Sequence, residues 1–392
     1  MKRFFKSLSA GLLAFTVAVY STVAYAANVL PDEVAASALT ENTDGGLFSL
    51  EAPETVETAG DTVRSLTAQI SILKLIPVKN VKVNVTKRSY VGIGGDIFGI
   101  KLYTKGVIVV GVDRVTTKSG SVNPGLNAGI QKGDVITAVD AQAVNSSSEL
   151  IAMLENSQGK PLELTVSRGE KTLTLSLEPE LSSNGKYKAG LWVRDSSAGI
   201  GTVTFYNDEK GYFAGLGHGI YDVDTGGIMP LSSGEALKAT VNGFYKSSAG
   251  NPGELCGVFS ETVIGTLRAN GSAGVVGNLE KPSGAVKVPV ALAAEVTEGP
   301  AKMIATIDEA GPKAYDINII NICSPKDDPG RNLVIQITDE DLLRKTGGIL
   351  QGMSGAPIIR NGMLVAAVTH VFVNDPTKGY AIFAENMLKA AQ

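Results

Sequence analysis

Apolar and polar residues alternate through much of this chain in the way that strands require. Val81, Val83 and Val85 are separated by polar residues and follow an apolar run that begins at Ile70. A strand points successive side chains to opposite faces, so this pattern predicts a strand. Similar short runs recur near the C-terminus, at residues 200–206, 286–294, 303–307, 333–337, 357–359 and 364–373. We expect a mainly β chain whose last 200 or so residues form a β-barrel or a pair of barrels.

Helical signals are few and short. Ser146 to Glu149 has the spacing of a capping box, and Leu150, Ile151 and Leu154 follow it on one helical face. Asn361-Gly362 and Arg168-Gly169 lie between strand-like runs and predict hairpin turns. Short helices are also expected at residues 126–129, 339–344 and 384–391.

The N-terminus has the pattern of a targeting segment. Lys2, Arg3 and Lys6 precede an apolar run over residues 8–23, and Ala24-Tyr25-Ala26 offers small residues for a signal peptidase. Residues 1–26 are therefore expected to be a signal peptide or an uncleaved membrane-anchor helix, which places the rest of the chain outside the cytoplasm. Residues 27–90 are expected to form an acidic, solvated stalk that leads into a strand-like linker, because no Lys or Arg occurs between Lys6 and Arg64.

Composition narrows the function classes. The 392 residues contain 44% hydrophobic and 19% charged residues, so a globular chain is expected. The net charge of −4 provides no basic surface for nucleic acid, which is therefore not expected as a ligand. Cys256 and Cys323 have no spacing signature, which favours two free thiols over a disulfide. The chain has two histidines and no metal-binding spacing, and no metal or organic cofactor is implied.

Residues 91–180 resemble a PDZ domain. The similarity lies in the string Ala128-Gly129-Ile130, followed after two residues by Gly133-Asp134-Val135-Ile136. In that family a strand after a glycine-rich turn binds a peptide by strand addition. The resemblance assigns peptide binding to Gly99, Ile100, Lys101 and Leu102.

Ser354 is the strongest candidate nucleophile. Gly352 precedes it by two residues and Gly355 follows it, which favours a tight turn with an exposed hydroxyl. The N–H groups of Gly352 and Ser354 could then point the same way and form an oxyanion hole. The string Gln351-Gly352-Met353-Ser354-Gly355-Ala356-Pro357 resembles the nucleophile loop of chymotrypsin-like peptidases.

A serine nucleophile needs a base and a group that orients the base. His218 lies between glycines and is the favoured base, whereas His370 lies within a strand-like run. The spacing does not choose among the carboxylates Asp222, Asp224, Asp316 and Asp339. His218 with Asp222 and Asp224 could instead form a metal site.

A wider resemblance makes the choice. Residues 189–201, 216–220, 222–226, 351–355 and 368–376 are similar to the stage IV sporulation protein B peptidases of endospore-forming Firmicutes, in which a PDZ domain precedes a chymotrypsin-like barrel domain. The resemblance implies domain bounds of 91–180 and 181–392 and a triad of His218, Asp339 and Ser354. Asp339 lies only 15 residues before Ser354, so Asp316 remains a rival for the orienting role. His370 would border the substrate pocket.

The same resemblance implies a sporulation serine endopeptidase, exported into the space between forespore and mother cell. It would cleave itself near its N-terminus and cleave a membrane-bound regulator of an intramembrane metalloprotease, and so trigger late sigma-factor activation. Two alternatives remain open from the residues. One is a non-catalytic PDZ adaptor with a degenerate peptidase domain, and the other is a metal-dependent hydrolase that uses His218 and Asp222.

Overall fold

The computed structural model describes residues 19–28, 33–36, 42–45, 48–51, 64–73, 75–85, 88–323 and 330–392. The chain divides into two compact units, Met1–Ser89 and Tyr90–Gln392.

The described residues of the first unit form one helix and a five-stranded sheet. Helix α1 covers residues 19–28. The strands occur in the order β1-β5-β4-β3-β2, and their bounds are β1 (Glu33–Ala36), β2 (Asn42–Gly45), β3 (Phe48–Glu51), β4 (Arg64–Ile72) and β5 (Ile76–Val85). The stalk prediction was therefore wrong for the described residues of 27–63, where β1, β2 and β3 pair with the sheet.

The predicted signal or anchor helix is not confirmed. Most of it, residues 1–18, lies outside the described residues. Among the residues that are described, no helix is both long and apolar enough to span a membrane.

The second unit is rich in strands, as the alternation predicts. Its helices are α2 (Pro124–Asn127), α3 (Ser147–Asn156), α4 (Glu340–Thr346) and α5 (Ala384–Ala390), with a 3-10 turn at Ala293–Glu295. Its strands are β6 (Tyr90–Ile93), β7 (Ile97–Val112), β8 (Val115–Thr117), β9 (Gly120–Val122), β10 (Val135–Val139), β11 (Gln142–Ala143), β12 (Leu162–Arg168), β13 (Lys171–Leu177), β14 (Glu180–Leu181), β15 (Tyr187–Lys188), β16 (Leu191–Asn207), β17 (Tyr212–Gly215), β18 (Leu231–Tyr245), β19 (Glu254–Gly271), β20 (Gly274–Leu279), β21 (Lys287–Pro289), β22 (Gly299–Ala305), β23 (Lys313–Ile322), β24 (Leu333–Ile337), β25 (Pro357–Arg360), β26 (Met363–Val371) and β27 (Lys378–Phe383).

Two long strands, β7 and β16, connect the PDZ-like part of the unit to the rest. The large sheet has the order β13-β12-β10-β7-β18-β19-β20-β17-β16-β6-β21, and β7 pairs additionally with β16. The second half of β7 pairs with β10, whereas its first half pairs with β18. The PDZ-like part, with its own apolar core around Val109, Ile136 and Leu164, therefore shares a continuous sheet with the peptidase-like part.

The C-terminal part closes into a barrel of β22-β23-β24-β27-β26-β25. Its interior is apolar and includes Met303, Ile335 and Val368. Closure leaves no unpaired strand edge around the ring, which makes this barrel a rigid support for the loop before β25 that carries Ser354.

Local sequence signals account well for the helix ends and turns. Ser146 and Glu149 form the expected capping box of α3. Asn361 and Gly362 both have positive φ, as a two-residue hairpin between β25 and β26 requires. On α3, Leu150 is buried but Ile151 is 52% exposed, so the predicted apolar face is narrower than expected. Both cysteines are free thiols.

Candidate active site

The candidate nucleophile Ser354 and both histidines lie in one cavity of about 610 Å³. Ser354, His218 and His370 line it together with Gly352. Two further segments contribute to the walls. They are Ser197 to Ile200 from β16 and Ile349 to Gln351 from the loop before Ser354. A cavity of this size can hold several residues of an extended peptide.

Tight turns hold the Ser354 loop. Gly352 and Gly355 have φ of +96° and +97°, a region that side chains other than glycine rarely adopt. A Cβ on Gly355 would lie 2.0 Å from the Thr202 carbonyl oxygen. The Gly355 N–H donates to the Val368 carbonyl at 2.7 Å, so the loop is attached to β26 directly after the nucleophile.

Strand β16 holds the same loop from the other side. The Thr202 N–H donates to the Ser354 carbonyl at 2.9 Å, and the Thr202 hydroxyl donates to the Gly352 carbonyl at 2.9 Å. The buried Thr204 hydroxyl donates to the Gly355 carbonyl at 2.7 Å. Sequence reasoning missed both threonines, because their partners lie about 150 residues further along the chain.

The loop leaves two donors available. The Met353 N–H donates to Leu350, and the Gly355 N–H is used as described. No hydrogen bond between described residues uses the N–H of Gly352 or of Ser354. These two N–H groups, which the sequence suggests for an oxyanion hole, are thus free to bind an oxyanion.

The hydroxyl of Ser354 is bonded to a backbone carbonyl in this conformation. Its Oγ donates to the Thr369 carbonyl at 2.8 Å. A rotation of the Ser354 side chain away from Thr369 is therefore needed before His218 can accept the proton.

A strained turn presents His218. Leu216 and Gly217 both have positive φ, of 65° and 68°, and Leu216 is buried. A bulky residue in the left-handed region is uncommon and marks a position that the surrounding structure determines. The sharp bend directs His218 into the cavity.

A backbone carbonyl orients the imidazole. Nδ1 of His218 lies 2.7 Å from the Gly219 carbonyl oxygen. A carbonyl can only accept, so Nδ1 carries the proton and Nε2 of the neutral ring is an acceptor. This is the tautomer that a general base needs.

Burial disfavours the charged form of His218. Desolvation lowers the pKa of His218 below its ordinary value, and the hydrogen bond to Gly219 offsets only part of that change. The ring of His370 is tilted against it, with centroids 5.0 Å apart. The structure therefore places His370 in the cavity wall, and its role at a substrate pocket stays a prediction.

The orienting role of Asp339 stays a prediction, because its carboxylate has other partners in this structure. Asp339 is the N-cap of α4, where Oδ1 accepts from the Leu342 N–H at 2.9 Å. Its Oδ2 accepts from the Asp316 N–H at 3.3 Å. Asp316 is exposed and pairs with Lys302 at 2.7 Å, and neither carboxylate lines the cavity.

Asp222 and Asp224 have another partner, Arg194. The buried Asp222 accepts hydrogen bonds from Arg194 and from the Thr225 N–H, and Arg194 also reaches Asp224 at 2.7 Å. Burial by itself raises the pKa of Asp222, but these bonds more than offset it and leave the pKa below its ordinary value. The described residues contain no cluster of three or more His, Cys, Asp or Glu arranged for a metal ion.

Arg194 and its neighbour connect the PDZ-like part to the His218 loop. Arg194 lies on β16 opposite Ile108 of β7. The next residue, Asp195, accepts from the N–H of Ser147 at the start of α3, at 2.7 Å. The sequence gives no signal for this connection, because an ion pair between distant segments has no local pattern.

The predicted peptide-binding strand is wrong. Gly99, Ile100, Lys101 and Leu102 lie in the first half of β7, paired with β16 on one edge and with β18 on the other. A strand that is hydrogen-bonded on both edges cannot accept a peptide as an added strand. Of the four, only Ile100 lines the cavity.

Comparisons with known proteins agree with both parts of the second unit. A PDZ-domain family model matches residues 79–178. A protein of Lactococcus lactis subsp. lactis, provisionally described as a zinc metalloprotease, is 36% identical over 84 residues, which is 21% of this chain and 19% of that protein. A Clostridium perfringens protein with the same provisional description is 29% identical over 18% of this chain and 21% of its own length. The chain thus spans about a fifth of the length of these curated relatives.

Among solved structures, the PDZ domain of an SdrC-like protein from Listeria monocytogenes matches with 22% identity and a TM-score of 0.19, covering 23% of this chain and 87% of that one. The family model described as SpoIVB peptidase S55 matches residues 185–388, just over half of the chain. The cavity that joins Ser354 to His218 lies within that range, and the chain belongs to the SpoIVB peptidase S55 family of serine peptidases.

Proposed function

We propose that the chain is an endopeptidase that cleaves by acyl transfer through a Ser354–His218 dyad. The observation that carries this proposal is the shared cavity, where Ser354, His218 and the unused N–H groups of Gly352 and Ser354 meet. Nucleophile, base and oxyanion donors are the three parts that such a reaction needs.

The protein's own groups are sufficient for each proton transfer. Once the Ser354 hydroxyl turns from Thr369 to Nε2 of His218, the imidazole takes its proton as Oγ attacks the peptide carbonyl. The N–H groups of Gly352 and Ser354 stabilise the oxyanion, and His218 returns the proton to the leaving amine. Water then attacks the acyl-enzyme with the same base. The Gly219 carbonyl keeps Nδ1 protonated throughout, which is the task that a triad carboxylate performs elsewhere.

A second candidate function is a non-catalytic PDZ adaptor. The observation in its favour is that the Ser354 hydroxyl donates to Thr369, while no carboxylate among the described residues lines the cavity beside His218. A fluorophosphonate probe separates the two, because only an activated serine reacts with it. Labelling at Ser354 supports the peptidase, and an unlabelled folded protein supports the adaptor.

The biological role that we propose follows the family. The signal-like residues 1–26 support export across the cytoplasmic membrane, into the space between forespore and mother cell. The membership in the SpoIVB peptidase S55 family supports a role in sporulation. There the enzyme would cleave itself and a membrane-bound regulator of an intramembrane metalloprotease, and the second cleavage would trigger late sigma-factor activation. The PDZ-like part would select or restrain the substrate.

Self-cleavage gives the most direct test. The purified wild-type protein, Ser354→Ala and the control Ser260→Ala, which changes an exposed serine of β19, are incubated and their new N-termini are sequenced. We expect cleavage between residues 27 and 89 in the wild type and in the control. Ser354→Ala should lose at least on the order of 10³-fold in rate with an unchanged melting temperature. Equal cleavage by Ser354→Ala would contradict the nucleophile assignment.

A further inference from the structure

One edge of β16 is open beside the catalytic groups. The strand pairs with β7 from Leu191 to Thr202, whereas on its other edge it pairs with β17 only from Val203 to Asn207. Thr202 is the last occupied position on that second edge. Its N–H donates to Ser354, and its carbonyl accepts from the Leu216 N–H at 3.2 Å.

The open positions follow directly from Thr202. The register between β16 and β7 is unbroken from Ser196 to Thr202, and backbone groups of a strand point alternately to its two edges. Ile200, Ala198 and Ser196 therefore direct their N–H and carbonyl groups to the same side as Thr202. Within the described structure, no backbone hydrogen bond uses these groups on that side.

Between Ser196 and Ile200, β16 has no charged side chain, proline or bulge that would prevent another strand from pairing with this edge. Natural proteins protect edge strands with charged side chains, proline or bulges. Ser196, Ser197, Ala198 and Gly199 are small and uncharged, and Ala198 and Gly199 are exposed. The segment from Ser197 to Ile200 also lines the cavity that contains His218 and Ser354.

We infer that the edge of β16 from Ser196 to Ile200 binds one half of the substrate chain as an added strand and leads it from Ser354 to the PDZ-like part. The ligand is an extended polypeptide, recognised through backbone hydrogen bonds. The inference rests on the proposed peptidase function, and it adds a site that the matching families do not assign to these residues.

The direction of the track follows from the course of β16. From Ile200 to Ser196 the strand advances by about 13 Å, at roughly 3.3 Å per residue. Directly beyond Ser196, the carboxylate of Asp195 accepts from the first N–H of α3, and Arg194 pairs with the PDZ-like half of β7. A substrate that extends about four residues from the scissile bond along this edge therefore arrives at α3. A shorter substrate does not.

Proline at position 198 tests the track. The Ala198 N–H points to the open edge, so Ala198→Pro removes a donor and adds a ring there without breaking a bond to β7. Ala198→Ser keeps the N–H and is the matched control. Equal melting temperatures of the proteins are verified first. Each protein is then assayed with three peptides: a short one, one extended by about five residues on the N-terminal side of the scissile bond, and one extended by about five residues on the C-terminal side.

We expect wild type and Ala198→Ser to favour one extended peptide over the short one by on the order of 10-fold in kcat/KM. Ala198→Pro should lose that preference, so that its kcat/KM values for the extended and the short peptide agree within about twofold. Unchanged selectivity in Ala198→Pro would overturn the track. Failure of the wild type to label at Ser354 would instead overturn the peptidase function.

A second measurement covers the case in which Ala198→Pro does not fold. Hydrogen exchange at the amides of Ala198 and Ile200 is compared in Ser354→Ala with and without the extended peptide. Protection of these amides by the bound peptide supports the track, and unchanged exchange at saturating peptide overturns it.

Discussion

The nucleophile and its base are held by two different sets of contacts. Ser354 lies in a loop attached by backbone bonds to a closed barrel, where Gly355 and Val368 are in direct contact. His218 follows β17, a strand of the ring β7-β18-β19-β20-β17-β16 that the pairing of β7 with β16 closes, and side chains also hold its loop. Asn270 donates to Ile220 and to Met229, and Arg194 pairs with Asp222.

The difference suggests which half of the site is adjustable. The Ser354 loop is attached to β26 and to Thr202 of β16 by backbone bonds, so it is fixed once these strands have paired. The His218 loop depends on Arg194, whose strand continues into the PDZ-like part. Changes at that part can therefore reach the base through these side chains.

The largest effect is expected from removing Arg194. Arg194→Met leaves the buried Asp222 without its cation, and we expect the free energy of unfolding to fall by about 3 kcal/mol. Displacement of the His218 loop should lower kcat on a short peptide by on the order of 10- to 100-fold. Thermal denaturation and steady-state kinetics measure the two effects.

The PDZ-like part offers a matched control in Arg168. Its ion pair with Asp134 has side-chain exposures of 32% and 1%, against 32% and 0% for Arg194 with Asp222. Arg168→Met should destabilise the fold by a similar amount and change kcat by less than about twofold. Equal losses of kcat in the two variants would show that general destabilisation, not the His218 loop, is responsible.

A smaller effect distinguishes a helix cap from a triad member. Asn is as good an N-cap as Asp, whereas Ala costs about 1 kcal/mol of stability. Asp339→Asn should therefore keep nearly full activity, and Asp339→Ala should lose stability first. A triad aspartate behaves differently, since its Asn variant loses on the order of 10⁴ in turnover. A loss of that size in a folded Asp339→Asn would restore Asp339 as the orienting group.

The smallest expected effect is a shift of the pH profile. His218 acts as a base only when neutral, and burial lowers its pKa. The acidic limb of kcat/KM should thus lie below pH 6.5, the ordinary pKa of histidine. Because the folded state disfavours the charged ring, the contribution of His218 to stability is present above that pH and is lost as the pH falls through its folded pKa.

His370 provides the control for the pH profile. Its ring lies 5.0 Å from that of His218, so replacing it separates the contribution of His218 to the profile from that of this neighbouring ring. In His370→Gln the acidic limb should remain below pH 6.5. A limb at or above pH 6.5 in both proteins would contradict a desolvated base.

Some of the site could be predicted because its signals are local. The glycines around Ser354, the capping box at Ser146 and the Asn361-Gly362 turn act over two or three residues, so their meaning depends little on the rest of the fold. The same locality misled the prediction for Gly99 to Leu102. Strand propensity is local, but the availability of a strand edge depends on which segments pair with it.

The sequence by itself determined the mainly β character, the turns, the nucleophile loop and the family. The tertiary structure alone decided that Asp339 caps α4, that Gly219 orients His218 and that β16 keeps an open edge beside Ser354. The physical reason is range. Turns and caps are set by the φ preferences and side chains of neighbours, whereas each of the other features depends on how segments distant in the chain pack together, and no residue pattern within one segment records its partners.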